Sequence, residues 1–112
     1  MEEYLILVHQ TKPIDETPEE LKALMARYEI WADKLIAQNR LISGQRLSRT
    51  GRVILDKNTI VSDGPFLESK EIIGGYMMIR AESLEAAAQL ASDCPIGENR
   101  VLSVRPMYEW EE

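Results

Sequence analysis

Tyr4-Leu5-Ile6-Leu7-Val8 is an unbroken apolar run of strand-forming residues. Its lack of alternation predicts a strand covered on both faces. The next segment carries a helix signal: Thr17 can cap, Pro18 takes the first helical position, and Glu20 stands three residues after the cap, completing a capping box. Apolar residues then recur in steps of three and four at Leu21, Leu24, Met25, Tyr28, Trp31, Ala32, Leu35 and Ile36. They draw one stripe along a helix of roughly six turns ending near Asn39. Leu41-Ile42 opens a second strand, broken by Gly44. Arg52 to Leu55 and Thr59 to Val61 flank the polar Asp56-Lys57-Asn58, which predicts a hairpin. Ile72 to Arg80 reads as another strand, in which Gly74-Gly75 marks a bulge or a close approach by another backbone. Ser83 caps a second helix with a small-residue face of Leu84, Ala87, Ala88 and Ala91, stopped by Asp93-Cys94-Pro95. Arg100 to Arg105 is the last strand, with Leu102 and Val104 on the face opposite Val101 and Ser103.

The order is strand, long helix, strand with an extra β-hairpin, strand, short helix, strand. Without the hairpin this is the split β-α-β arrangement called ferredoxin-like, an α+β class. Two helices cover only one face of such a sheet, yet the first strand is apolar throughout. A homodimer that stacks two sheets face to face resolves the conflict.

Length and composition narrow the rest. At 112 residues, 45% hydrophobic and 29% charged, the chain is expected to be one domain, 1–112, with an ordinary core and no need of disulfides. Acidic residues outnumber basic ones by 19 to 13, and the basic residues are dispersed among acids, which argues against nucleic acid. The apolar stretch near the start, Leu5 to Val8, is too short for a signal peptide or a membrane span, so a soluble cytoplasmic protein without membrane contact is expected. One histidine and one cysteine make a metal site improbable, and neither a dinucleotide fingerprint nor a P-loop is present, so no cofactor is expected.

Six residues are candidates for chemistry. His9, the only histidine, ends the first strand; imidazole is the side chain suited to proton transfer at neutral pH, although a surface histidine is the bland alternative. Asp63 opens Asp-Gly-Pro-Phe. That run has a sufficient explanation as a turn, or it places a carboxylate at a cavity rim as base or polar anchor. Glu68 and Lys70 form a solvated loop edge or hold an anionic ligand, and Tyr76 adds a phenol to the same cavity or is an ordinary strand aromatic. Asp93 ends the second helix, where a carboxylate opposes the dipole and invites a cation such as Arg100 or Arg105. Tyr28 and Trp31, on the helix stripe, read as core. Cys94 lacks a neighbouring cation in sequence and reads as inert.

Val61-Ser-Asp-Gly-Pro-Phe-Leu-Glu-Ser-Lys-Glu-Ile-Ile-Gly-Gly-Tyr76 resembles the signature of the DGPF family, part of the wider YCII-related group of bacterial proteins. Tyr4 to Val8, Leu84 to Ala87, Cys94-Pro95 and Val104-Arg105-Pro106 extend the resemblance over nearly the whole chain. It implies a dimeric α+β barrel of ferredoxin-like protomers. Some relatives are credited with a histidine–aspartate acid–base pair, a few act on chlorinated aromatic rings, and others resemble accessory proteins of extracytoplasmic-function sigma factors. On this chain the histidine position falls at Tyr28 and the aspartate at Asp93, so half of that pair is missing.

Two functional classes follow. One is a protein that binds a small molecule in the protomer cavity, with His9 and Asp63 carrying any proton transfers and Glu68, Lys70, Tyr76 and Asp93 holding the ligand. The other is a regulatory protein without chemistry that binds a protein partner, for which Trp110 between Glu109 and Glu111 is the motive.

Overall fold

The Thr17 hydroxyl accepts from the Glu20 amide at 3.1 Å, and the Thr17 amide donates to the Glu20 carboxylate at 3.3 Å, in a computed structural model that describes residues 1–63 and 71–108. This capping box starts α1, Pro18–Ala37. Asn39 ends the exit turn with a left-handed φ of 58°, a conformation asparagine tolerates better than other non-glycine residues. The remaining elements are β1 (Glu2–Gln10), β2 (Leu41–Arg46), β3 (Gly51–Asp56), β4 (Thr59–Asp63), β5 (Ile72–Ala81), α2 (Leu84–Ser92), a 3-10 turn (Pro95–Glu98) and β6 (Val101–Pro106).

The main sheet has the order β2-β5-β1-β6 with antiparallel pairing throughout, the ferredoxin-like arrangement. β3 and β4 form their own two-stranded sheet. Their turn is tied by Asp56, whose carboxylate accepts from the Asn58 amide at 2.8 Å and from the Thr59 hydroxyl at 3.2 Å.

Tyr4, Ile6 and Val8 of β1 and Met77, Ile79 and Ala81 of β5 are buried on the face that carries both helices. Trp31, Leu35, Ala87 and Ala91 close over them. Leu5 and Leu7 point to the opposite face, where they are only half-buried. The unbroken apolar run of β1 is thus covered on one side within a single chain, and its second side has no layer over it among the described residues.

Two details depart from the sequence pattern. Ile36 is 56% exposed, because the buried line Leu24–Trp31–Leu35 lies to one side of the stripe and the last helical turn carries Ile36 past its edge. The buried face of α2 is Ala87 and Ala91, flanked by Ala86 and Leu90, so Leu84 and Ala88 turn outward. The glycine pair behaves as expected. Val8 pairs with Gly75 and His9 with Ile73, leaving Gly74 as the extra residue of a bulge. At Gly75 a Cβ would stand 3.0 Å from the Gln45 carbonyl oxygen, so only glycine lets β2 approach this closely.

Candidate functional site

The bulge sits at the floor of a cavity of about 230 Å³ between α1 and the sheet. Val8, Gly74, Gly75 and Met77 form the floor, and Leu21, Met25 and Tyr28 form the wall given by α1. Three arginines border it, Arg46 at the end of β2, Arg49 shortly after it and Arg100 before β6, and among the described residues no carboxylate does. In a chain of net charge −6 this is a local inversion of sign.

Arg100 is engaged by Glu16, which accepts from its guanidinium at 2.7 Å and from the Asn99 amide at 3.2 Å. The two side chains keep only 11% and 9% of their surface exposed. The hydrogen bond from Arg100 holds the Glu16 carboxyl below its ordinary pKa, with smaller help from Asn99 and Arg46 and against the opposing effect of burial. Arg46 and Arg49 are exposed at the mouth and form no ion pair among the described residues. Tyr28 lines the wall, and burial raises its phenol pKa. Cys94 is buried, and burial likewise raises its thiol pKa, which keeps it neutral and weakly nucleophilic.

His9 lies on the other face of the sheet. Its Nε2 and the Ser103 hydroxyl share a 2.6 Å hydrogen bond, and its Nδ1 meets the Glu71 carboxylate in an ion-pair contact. Nδ1, sealed from water, has no hydrogen-bonding partner among the described residues. The carboxylate is therefore a charge neighbour to the ring and not a hydrogen-bond partner.

The other sequence candidates are dispersed. The backbone of Asp63 ends β4, in the two-stranded sheet. Glu68 and Lys70 lie outside the described residues, as does Trp110. Tyr76 of β5 lies at the border of the cavity, but it pairs with Leu7 and so shares the helix-free face, which leaves its backbone and not its phenol toward the cavity. Asp93 is the exposed C-cap of α2 and borders a second, shallower depression with Cys94 and Glu98. Arg100 pairs with Glu16 and not with Asp93, which forms no ion pair among the described residues. Tyr28 and Asp93 therefore open onto different depressions.

Sequence reasoning missed Arg46 and Arg49 as cavity residues, and Glu16 and Ser103 as partners. Spacing gives no sign of their convergence, since Glu16 and Arg100 are 84 residues apart and His9 and Ser103 are 94 apart. Among the described residues there is no grouping of histidine, cysteine and carboxylates able to hold a metal ion, and no helix is long and apolar enough to cross a membrane. A family model, the YCII-related domain, matches residues 3–111. No curated protein matches the chain.

Proposed function

The chain belongs to the YCII-related family, and from that premise we propose that it binds a small anionic molecule with an apolar body in the cavity between α1 and the sheet. The observation that carries this reading is a cavity lined by Leu21, Met25, Tyr28 and Met77 and rimmed by three arginines, with no acid on the rim among the described residues. Apolar walls supply the burial and a few placed polar groups supply orientation, the composition of small-molecule sites. About 230 Å³ suits a single ring carrying one carboxylate better than a drug-sized compound. Arg46 and Arg49 form no ion pair among the described residues, and a guanidinium matches a carboxylate in two parallel hydrogen bonds.

A thermal-shift comparison of benzoate-like carboxylates with the corresponding neutral amides tests the idea. At about a hundred times its dissociation constant a bound acid stabilises the fold by about 2.7 kcal/mol. The acids are expected to raise the melting temperature, the amides are not, and the Arg46→Ala/Arg49→Ala double variant is expected to lose the shift. Equal shifts from acids and amides, or none from either, would overturn the reading.

The protein acts on this reading as a homodimer that stacks its helix-free sheet faces. Leu5, Leu7 and Met78 are half-buried there, while Ile73 and Val101 are 36% and 52% exposed, a cluster of apolar side chains that a second copy would cover. Sedimentation equilibrium is expected to give twice the chain mass, and Leu5→Glu/Met78→Glu the mass of one chain. A wild-type protein at the mass of one chain removes the dimer. The interaction reading, whose motive in the sequence is Trp110, has a second feature within the described residues, the exposed Ile54, Leu55 and Ile60 of the β3–β4 hairpin.

A further inference from the structure

Of the three rim arginines, Arg100 is the one whose charge is answered within the chain among the described residues. Both of its terminal nitrogens are engaged: Nη2 donates to Glu16 Oε1 at 2.7 Å, and Nη1 donates to the Asn99 side-chain oxygen at 2.7 Å. Asn99 in turn donates its side-chain amide to Glu16 Oε2 at 3.2 Å, so both oxygens of the carboxylate are taken as well. The three side chains close a ring of hydrogen bonds in which the charged pair is almost sealed from water, and salt therefore screens it little.

Glu16 does not line the cavity. It reaches Arg100 from the loop between β1 and α1, one residue before Thr17, whose capping box fixes the start of α1. Arg100 stands one residue before β6, so both partners are anchored beside regular elements. Arg46 also favours the charged form of Glu16 through space, and the field of this carboxylate thus reaches a second rim arginine. An acid behind the wall receives the hydrogen bonds that Arg100 would otherwise give to a ligand.

We propose that Glu16 is a specificity-determining residue, an internal acid that engages Arg100 and restricts the cavity to ligands with a single anionic group. The inference rests on the reading of this cavity as a carboxylate site. A ligand with one acid group satisfies it at Arg46 and Arg49 and lays its apolar body on Leu21, Met25 and Met77. A second acid group on the same ring would give up water for an arginine already paired, with the Glu16 charge behind it. Selectivity then comes from a repulsive element as well as an attractive one.

Calorimetric titration of the full chain with benzoate and with phthalate, isophthalate and terephthalate, at neutral pH, tests the assignment. The wild-type protein is expected to bind benzoate more tightly than any of the dicarboxylates. Glu16→Gln keeps an acceptor oxygen for Arg100 but removes the charge, and it is expected to move the preference toward at least one dicarboxylate by about tenfold. Glu29→Gln makes the same change of charge on an exposed position of α1 and is expected to leave the preference where it was. Circular dichroism checks that each variant is folded. A wild-type protein that binds a dicarboxylate as tightly as benzoate overturns the proposal, whether or not the variants fold. So does an unchanged preference in folded Glu16→Gln, or an equal change in Glu29→Gln, and benzoate binding then still supports the carboxylate site. Absence of benzoate binding to the wild-type protein removes that site and this inference together.

Discussion

Trp31→Ala is expected to lower the unfolding free energy by about 3–5 kcal/mol, the range for removing a large aromatic from a core. Two roles combine in this side chain. Its ring is 9% exposed within the main core and lies 5.8 Å from the Tyr28 ring at a tilt of 35°. Its indole nitrogen donates to the Leu90 carbonyl at 3.1 Å. Leu90 belongs to the last turn of α2, whose carbonyls have no partner inside their own helix. Neighbouring carbonyls there are taken locally, Gln89 by the Ser92 hydroxyl and Ala91 by the Cys94 amide, and Leu90 is met by Trp31. One side chain thus fills the core and ties α1 to α2. Trp31→Phe separates the roles: it keeps much of the apolar bulk, loses the hydrogen bond, and is expected to cost about 1–2 kcal/mol. Urea denaturation of both variants checks the split. A Trp31→Ala loss below about 1 kcal/mol would mean that the helices are held by other contacts.

Arg100→Leu is the second large effect, about 2 kcal/mol at neutral pH. Removing one partner of a covered ion pair leaves the other charge without compensation, which costs about 3–5 kcal/mol in a deep interior. The Glu16–Arg100 pair is covered but close to the surface, and Asn99 still donates to Glu16, so a smaller value applies. The pair also shapes the acid side of the stability curve. Because the folded state holds the Glu16 carboxyl below its ordinary value of 4.5, the stabilisation is fully present above that value. It fades as pH falls through the lower folded value, where the protonated carboxyl no longer attracts Arg100. In Arg100→Leu the chief cause of the lowering is gone, and this part of the acid dependence should flatten. Urea midpoints measured from about pH 2 to pH 7 in both proteins check the sign. Identical slopes would show that Glu16 titrates alike in the folded and unfolded chains. The exposed pairs Arg27–Glu98 and Arg40–Glu82 have carboxylates open to solvent, and their removal is expected to change stability little.

Local signals in the chain reached far into the fold. The capping box at Thr17 and Glu20, the Asp56-Lys57-Asn58 turn, the bulge at Gly74-Gly75 and the Ser83 cap each act over a few residues, and each formed where its pattern lay. The same locality explains the failures. Whether Ile36 or Leu84 is buried depends on how far a neighbouring layer extends over the helix, and a stripe drawn from periodicity holds no information on that. Tyr28 was legible as part of the apolar stripe, but its place on a cavity wall follows from the bulge opposite it and the glycines that leave the floor without side chains.

The candidate sites were legible only in part. His9 stands out because imidazole is rare chemistry in this chain, whereas Glu71 carries no signal beyond its place in the Val61–Tyr76 motif. Ser103 had no signal beyond its place on the outward face of β6, and Arg46 and Arg49 looked like ordinary surface cations. The sequence alone determined the class of fold, the order of its elements and the family, because capping, turn chemistry and strand pattern are set by residues within a few positions of one another. The tertiary structure decided that Arg46, Arg49 and Arg100 ring one cavity and that His9 meets Ser103 and Glu71 on the opposite face. Those meetings depend on strand order and on cross-strand register shifted by one residue at Gly74, and in a sheet a shift of one residue exchanges its two faces.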